Sequence, residues 1–151
     1  MKRVVVIAVF FLAGALFGWG IWAPTLAWFS LPNDPNAQGA DLATMAGFVL
    51  SWGLLFASAP LGAGLRGQPP LAVAPLLLYL ILGGLISGLV AYYFHALHTS
   101  TASLAARLGG KGALTIHRQP ITRIPLIGAA FVFVMAGTQR LLASAKPSKE
   151  R

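Results

Sequence analysis

Four stretches of this 151-residue chain are long and apolar enough to cross a lipid bilayer as helices. The hydrocarbon core of a bilayer is about 30 Å thick, which about 20 helical residues span. The stretches cover residues of about 4–23, 42–62, 71–97 and 124–143. Their apolar residues run continuously, without alternation, and this favours helices over a membrane β-barrel. The sequence predicts an all-α polytopic membrane protein, a single domain with a small bundle of about four transmembrane helices.

The composition agrees with a chain that is solvated by lipid. Hydrophobic residues make up 57% and charged residues 9% of it, with a mean hydropathy of +0.76. Soluble domains carry about 25% charged residues, because their surfaces face water. There are no cysteines, which excludes disulfides, thiolate metal sites and a cysteine nucleophile.

The excess of positive charge, +8 at pH 7, comes from eleven Lys and Arg against three acidic residues. The basic residues stand at the ends of the apolar stretches, where they orient a protein and contact anionic headgroups. No basic face interleaved with aromatic residues is present, as a nucleic-acid interface would require. We expect membrane lipid, and no nucleic acid, among the partners.

The connections differ in length and character. The first apolar stretch is interpreted as a retained span, because it exceeds the apolar core of a cleaved signal peptide. Residues 24–41 hold Pro and Asn and predict a loop, and 63–70 predict a short turn between neighbouring antiparallel helices. Residues 99–123 predict a long polar loop, in which 101–108 could form helical turns at the interface. A short charged tail covers 144–151.

Charge bias predicts that both termini are cytoplasmic. Seven basic residues then lie inside, against four outside, all in the loop 99–123. The composition is typical of bacteria, so we expect the cell inner membrane. The inside residues are Lys2, Arg3, Arg66, Arg140, Lys146, Lys149 and Arg151, and the outside residues are Arg107, Lys111, Arg118 and Arg123.

A basic loop resists translocation across the membrane, so its predicted position on the outer side requires an explanation. Three explanations stay open. The loop could pair with Asp34 and Asp41 of the first loop, it could contact an anionic partner or lipid, or it could be cytoplasmic if the number of spans is not four.

The three histidines are the only candidate ligands for a cofactor. His95 and His98 are three residues apart on one helix and share a face, and His117 precedes the last span. They could hold a metal ion or haem. The simpler interpretation places them at helix ends, against headgroups and carbonyls, so no cofactor is expected, with haem or metal as the alternative.

The spans carry no feature of catalysis or of active transport. Apart from residues at their ends they lack Asp, Glu, Lys and Arg, which proton-coupled carriers need. No nucleophile motif or Walker sequence occurs. We therefore expect a protein that is not an enzyme. Serine and threonine hydroxyls within spans more often bond to their own or a neighbouring helix than line a pore.

Glycines recur at the spacing that lets membrane helices approach closely, at Gly14 and Gly18 and again at Gly84 and Gly88. This spacing favours packing within the chain or docking onto another subunit. We expect an accessory or structural subunit of a larger membrane complex, bound to other membrane protein subunits or to itself. The alternatives are a homo-oligomeric passive pore or small-solute carrier, and a haem- or metal-holding membrane subunit.

Overall fold

The computed structural model consists of four helices. It describes residues 2–29, 42–69, 72–107 and 119–144, with the side chains of all except 29, 98–107 and 119–120. The helices are α1 (Lys2–Phe29), α2 (Leu42–Leu65), α3 (Val73–Arg107) and α4 (Gln119–Ser144). No strand occurs among the described residues. The predicted all-α bundle of four helices is confirmed.

Each helix contains a segment that is suited to cross a bilayer. These segments are Lys2–Trp28, Leu42–Leu65, Val73–Leu97 and Ile121–Ser144. The shortest have 24 residues, so they extend about 36 Å at about 1.5 Å per residue, more than the thickness of the hydrocarbon core. The chain is therefore an integral, polytopic membrane protein.

All four helices are longer than the sequence predicts, and residues 119–123, which were expected in the polar loop, form the start of α4. α1 continues through Pro24 to Phe29, where a loop was expected from residue 24 onward. Proline removes one backbone hydrogen bond, but ending the helix there would leave several more polar groups unpaired in an apolar segment. α3 runs on to Arg107, into the segment predicted as a polar loop.

The extension makes α3 longer than the hydrocarbon core of a bilayer requires. Its 35 residues give a length of about 52 Å at about 1.5 Å per residue. Residues 98–107 continue the same helix and do not form a separate segment on the interface. Residues 108–118 of the predicted loop lie outside the described part.

α2 is the central helix of the bundle. It packs against α1, α3 and α4, while α4 also packs against α3. α1 makes extended contact with α2 and with no other helix of the described chain. The ring pairs Phe17–Trp52 and Trp22–Phe48 show that α1 and α2 are antiparallel. The Tyr79–Gln139 bond and the contact of Gly83 with Gly128 show the same for α3 and α4.

The core lies between α2, α3 and α4 and combines small residues with one large ring. Tyr79 is fully buried, and its hydroxyl donates to Gln139 Oε1 at 3.0 Å. The alanines of α2 and α4 let these two helices approach the phenol ring of α3, whose polar end is paired as burial in an apolar core requires. The cluster comprises Ala59, Ala63, Leu76, Tyr79, Val132 and Ala136.

Two serine hydroxyls of α2 are satisfied by backbone carbonyls. Ser51 Oγ lies 2.7 Å from Gly47 O and 2.5 Å from Thr122 O. Its single proton can go to either acceptor, and the second carbonyl belongs to α4, so this serine ties α2 to the start of α4. Ser58 Oγ donates to Leu55 O at 2.6 Å, within its own helix.

The turn between α2 and α3 is fixed by a glycine. Gly67 has a φ of 72°, a conformation that costs little only for glycine. The N–H of Gly67 donates to Gly64 O at 3.0 Å, and that of Gln68 to Ala63 O at 3.0 Å. This pair of bonds is a Schellman motif, which satisfies the last carbonyls of the helix. The predicted short turn at 63–70 begins with it.

α3 and α4 meet backbone to backbone at Gly83 and Gly128. A methyl group on Gly128 would overlap Gly83 O and Ser87 Oγ. One on Gly83 would lie 2.7 Å from Leu55 Cδ1 and 3.1 Å from Val132 Cγ2. Because a carbonyl on the facing helix cannot rotate away, the two helices would have to separate.

We predict that Gly128→Ala lowers the free energy of unfolding in detergent by about 2 kcal/mol, the usual cost of overpacking a core. Gly137→Ala on the same helix is the matched control, since a methyl group there meets nothing within 4 Å. It should change stability by less than about 0.5 kcal/mol. Equal effects of the two substitutions, measured by thermal or denaturant unfolding, would contradict this packing.

Candidate functional site

The predicted packing glycines of α1 lie at its contact with α2. A methyl group on Gly14 would overlap Trp52 O and lie 2.7 Å from Phe56 Cβ, and one on Gly18 would lie 2.9 Å from Trp52 Cβ. In return, the ring of Phe11 covers Gly53, with Phe11 Cε2 at 2.8 Å from a methyl group placed there. Each helix therefore offers glycines to the aromatic rings of the other, within this chain.

Aromatic rings extend the contact between α1 and α2. Phe17 lies edge-on to Trp52, with ring centroids 4.9 Å apart, and tilted to Phe56 at 5.7 Å. Trp22 packs on Phe48 at 5.2 Å. Such pairs contribute about 0.5–1.5 kcal/mol each beyond their burial.

The predicted packing glycines of α3 behave differently. A methyl group on Gly84 or on Gly88 would meet nothing within 4 Å. Neither residue packs α3 against another described helix, and the close contact with α4 is made by Gly83. Successive residues on a helix point about 100° apart, so a shift of one residue moves a glycine off the contact. The sequence reveals the glycines but not which of them faces α4.

Gly84 and Gly88 line a cavity, which we call the Trp52 cavity. Its volume is about 150 Å³, and all four helices contribute to its wall, with Trp28, Phe48, Trp52 and Ile124 among the larger side chains. An apolar cavity of about this volume holds a molecule of the size of benzene. The missing side chains at the two glycines keep this space open.

Two polar atoms at the Trp52 cavity have no hydrogen-bond partner in the described part of the chain, Ser87 Oγ and Trp52 Nε1. Both atoms are covered by surrounding protein, and Ser87 Oγ lies against the backbone of Gly128. Neither atom therefore faces the open space of the cavity. Most of the cavity wall is apolar, so the cavity is suited to an apolar group.

His95 is the one predicted cofactor ligand whose side chain is described. Its imidazole stacks on Trp28 of α1, with centroids 4.3 Å apart and planes 17° apart. This stack joins the end of α1 to α3. The side chain of His98 and all of His117 lie outside the described part, and no group of three potential metal ligands occurs within it. Haem or metal binding stays a prediction.

The basic residues predicted on the outer side are placed only in part. Arg123 is exposed near the start of α4, and Arg107 ends α3. Lys111 and Arg118 lie outside the described residues, as do Asp34 and Asp41. The proposed pairing of the two outer loops therefore stays a prediction.

A second opening lies at the other end of the bundle and was not predicted. Arg3 of α1 and Arg140 of α4 flank a groove of about 260 Å³, which we call the Arg3 groove. Its floor is formed by Ile7 and by the last turns of α2, from Pro60 to Leu65. The sequence places both arginines on one side of the membrane, but the groove depends on α1 and α4 flanking α2.

Comparisons with protein-family models, with curated proteins and with solved structures find no match to this chain. Its function must therefore be argued from the chemistry of these two openings and of the helix surfaces.

We predict that lipid chains reach Trp52 through the Trp52 cavity. In a variant with Trp19, Trp22 and Trp28 changed to Phe, only Trp52 fluoresces, and lipids with brominated chains should quench it. Adding Gly84→Leu places a side chain in the cavity, since a methyl group there meets nothing within 4 Å, and it should weaken this quenching. Gly20→Leu, where a methyl group also meets nothing within 4 Å, should leave it unchanged. Quenching that is insensitive to Gly84→Leu would contradict access through the cavity.

Proposed function

We propose that this protein is an accessory or structural subunit of a larger membrane complex. The observation that carries the proposal is that three of the four buried hydroxyl groups of the described bundle are bonded within it. Ser51 and Ser58 donate to backbone carbonyls, and Tyr79 donates to Gln139. A channel or an ion carrier needs polar groups that line a path across the membrane, and these hydroxyls are used within the helix contacts.

The distribution of charge supports the same proposal. The described residues include no Asp or Glu. The basic side chains of the spans stand near helix ends, as Arg3, Arg123 and Arg140 do. A buried charge at the bilayer centre costs about 3 kcal/mol or more and is kept where function needs it. Proton coupling and catalysis within the described spans therefore find no support, and we propose no enzymatic activity.

α1 is the helix that we propose for contact with the partner. Only 11% of its most apolar window is buried, against 39% for α2, and its extended helix contact is with α2. Its outward face carries large side chains at alternating spacings of four and three, the spacing at which side chains of one helix fit between those of another. These exposed residues are Val5, Val9, Leu12, Leu16 and Trp19.

Cross-linking can test this proposal directly, because the chain has no cysteines. A cysteine at Leu16, which is 74% exposed, should cross-link in native membranes to a second polypeptide. Leu89→Cys tests the exposed face of α3, and Leu55→Cys, at 1% exposure, is the buried control. Native mass spectrometry in mild detergent should find the protein bound to others or to itself. A monomer that cross-links from no position would overturn the proposal.

We further propose the cell inner membrane of a bacterium, with both termini in the cytoplasm. Lys2, Arg3, Arg66 and Arg140 are at the same end of the bundle, which supports this orientation.

The orientation predicts opposite labelling of two connections. A membrane-impermeant maleimide should leave Gln68→Cys unlabelled in intact spheroplasts and label it after lysis. Asn36→Cys, between α1 and α2, should react before lysis. The reverse pattern would show that the termini are external.

A small-solute carrier is the second candidate, and the Trp52 cavity favours it. Purified protein in liposomes would then accelerate the flux of a small uncharged solute, and Gly84→Leu would slow it relative to Gly20→Leu. A subunit without transport activity should be silent with every solute in this assay.

A further inference from the structure

The Arg3 groove joins two cationic side chains to an apolar floor. Arg3 stands in the first turn of α1, and Arg140 is one turn from the end of α4. Because α1 starts and α4 ends on the same side of the bundle, both arginines lie at one end of it, where basic side chains of membrane helices contact lipid headgroups. Ile7, Pro60 and Leu61 line the groove toward the interior of the membrane.

Nothing in the described part of the chain neutralises these two arginines. The described residues contain no carboxylate, and both side chains are exposed. A guanidinium group presents its N–H donors as a planar fork that fits the oxygens of a phosphate. Two such groups at the mouth of one groove create a site for an anion.

The floor of the groove decides what kind of anion fits. Its volume of about 260 Å³ exceeds the roughly 150 Å³ that accommodates benzene, so it has room for more than a bare ion. Gly64 of α2 leaves open space there, since a methyl group on it would meet nothing within 4 Å. An anion with an apolar chain attached can fill both parts of the groove.

We infer that the Arg3 groove binds an anionic phospholipid, with the phosphate between Arg3 and Arg140 and the start of an acyl chain along Ile7, Pro60 and Leu61. The lipid bridges α1 and α4, which lie on either side of the end of α2. This role is separate from partner binding through the outward face of α1, so either can fail without the other.

The charge of the site is tested by lipid titration of the full-length protein in neutral detergent, with native mass spectrometry as the readout. Wild-type protein should bind phosphatidylglycerol and retain it more strongly than phosphatidylcholine. R3Q/R140Q should weaken phosphatidylglycerol binding roughly tenfold or more, because two cationic contacts are lost. K2Q/R66Q removes the same charge from exposed residues at the same end of the bundle that do not line the groove, and it should weaken binding less than about threefold. Equal losses in the two double variants would overturn the site, because attraction would then depend on net charge.

The shape of the site is tested without changing its charge. Gly64→Leu fills the floor and should lower the affinity for phosphatidylglycerol, while Gly20→Leu should not. Inorganic phosphate is the competitor, because it has the phosphate group of the lipid but no acyl chain. Two results would overturn the lipid assignment. One is full displacement of the lipid by millimolar phosphate, and the other is lipid binding that Gly64→Leu does not change. Thermal unfolding in detergent reports whether each variant is folded. If one variant does not fold, the other experiment, on charge or on shape, still tests the site.

Discussion

The structure depends on how closely α2 lies against its three neighbours. Lipid chains are as apolar as leucine, so the hydrophobic effect does not hold helices together within a bilayer, and dispersion contacts and hydrogen bonds must do so. Glycines at the contacts allow the helix backbones to approach each other closely. Gly14 and Gly18 let α1 approach Trp52 and Phe56, and Gly83 and Gly128 let α3 and α4 touch through their backbones.

The same close packing limits what the interior can do. The buried hydroxyls of Ser51, Ser58 and Tyr79 bond to carbonyl oxygens of the helices or of Gln139, so these three serve packing, while Ser87 Oγ has no partner in the described part of the chain. Space remains where glycines face away from a contact. Gly84 and Gly88 leave the space of the Trp52 cavity unfilled, and Gly64 does the same in the Arg3 groove. Glycine therefore produces both the tight contacts and the openings of this protein.

α1 connects these features to the proposed function. It is held to the bundle mainly through α2 and, at its end, by the stack of Trp28 on His95. Its inner face is committed to glycine and aromatic contacts, and its outer face is exposed to lipid or to a partner. A phospholipid between Arg3 and Arg140 would add a tie between α1 and α4 at the headgroup level. Lipid composition would then influence how firmly α1 presents its outer face to another subunit.

The sequence by itself determined the number of spans, their approximate bounds and the glycine turn at Gly67, because the length of an apolar segment and the chemistry of a turn are local properties. It ended α1 too early at residue 24, since proline stops helices in water but is retained where lipid penalises unpaired backbone groups. Only the tertiary structure decided that Gly83, and not Gly84, meets α4, and that Arg3 and Arg140 share a groove. These spans are apolar on every side, so the sequence contains no polar face that fixes the rotation of each helix about its axis. Rotation follows from side-chain fit between helices, which exists only once they are packed.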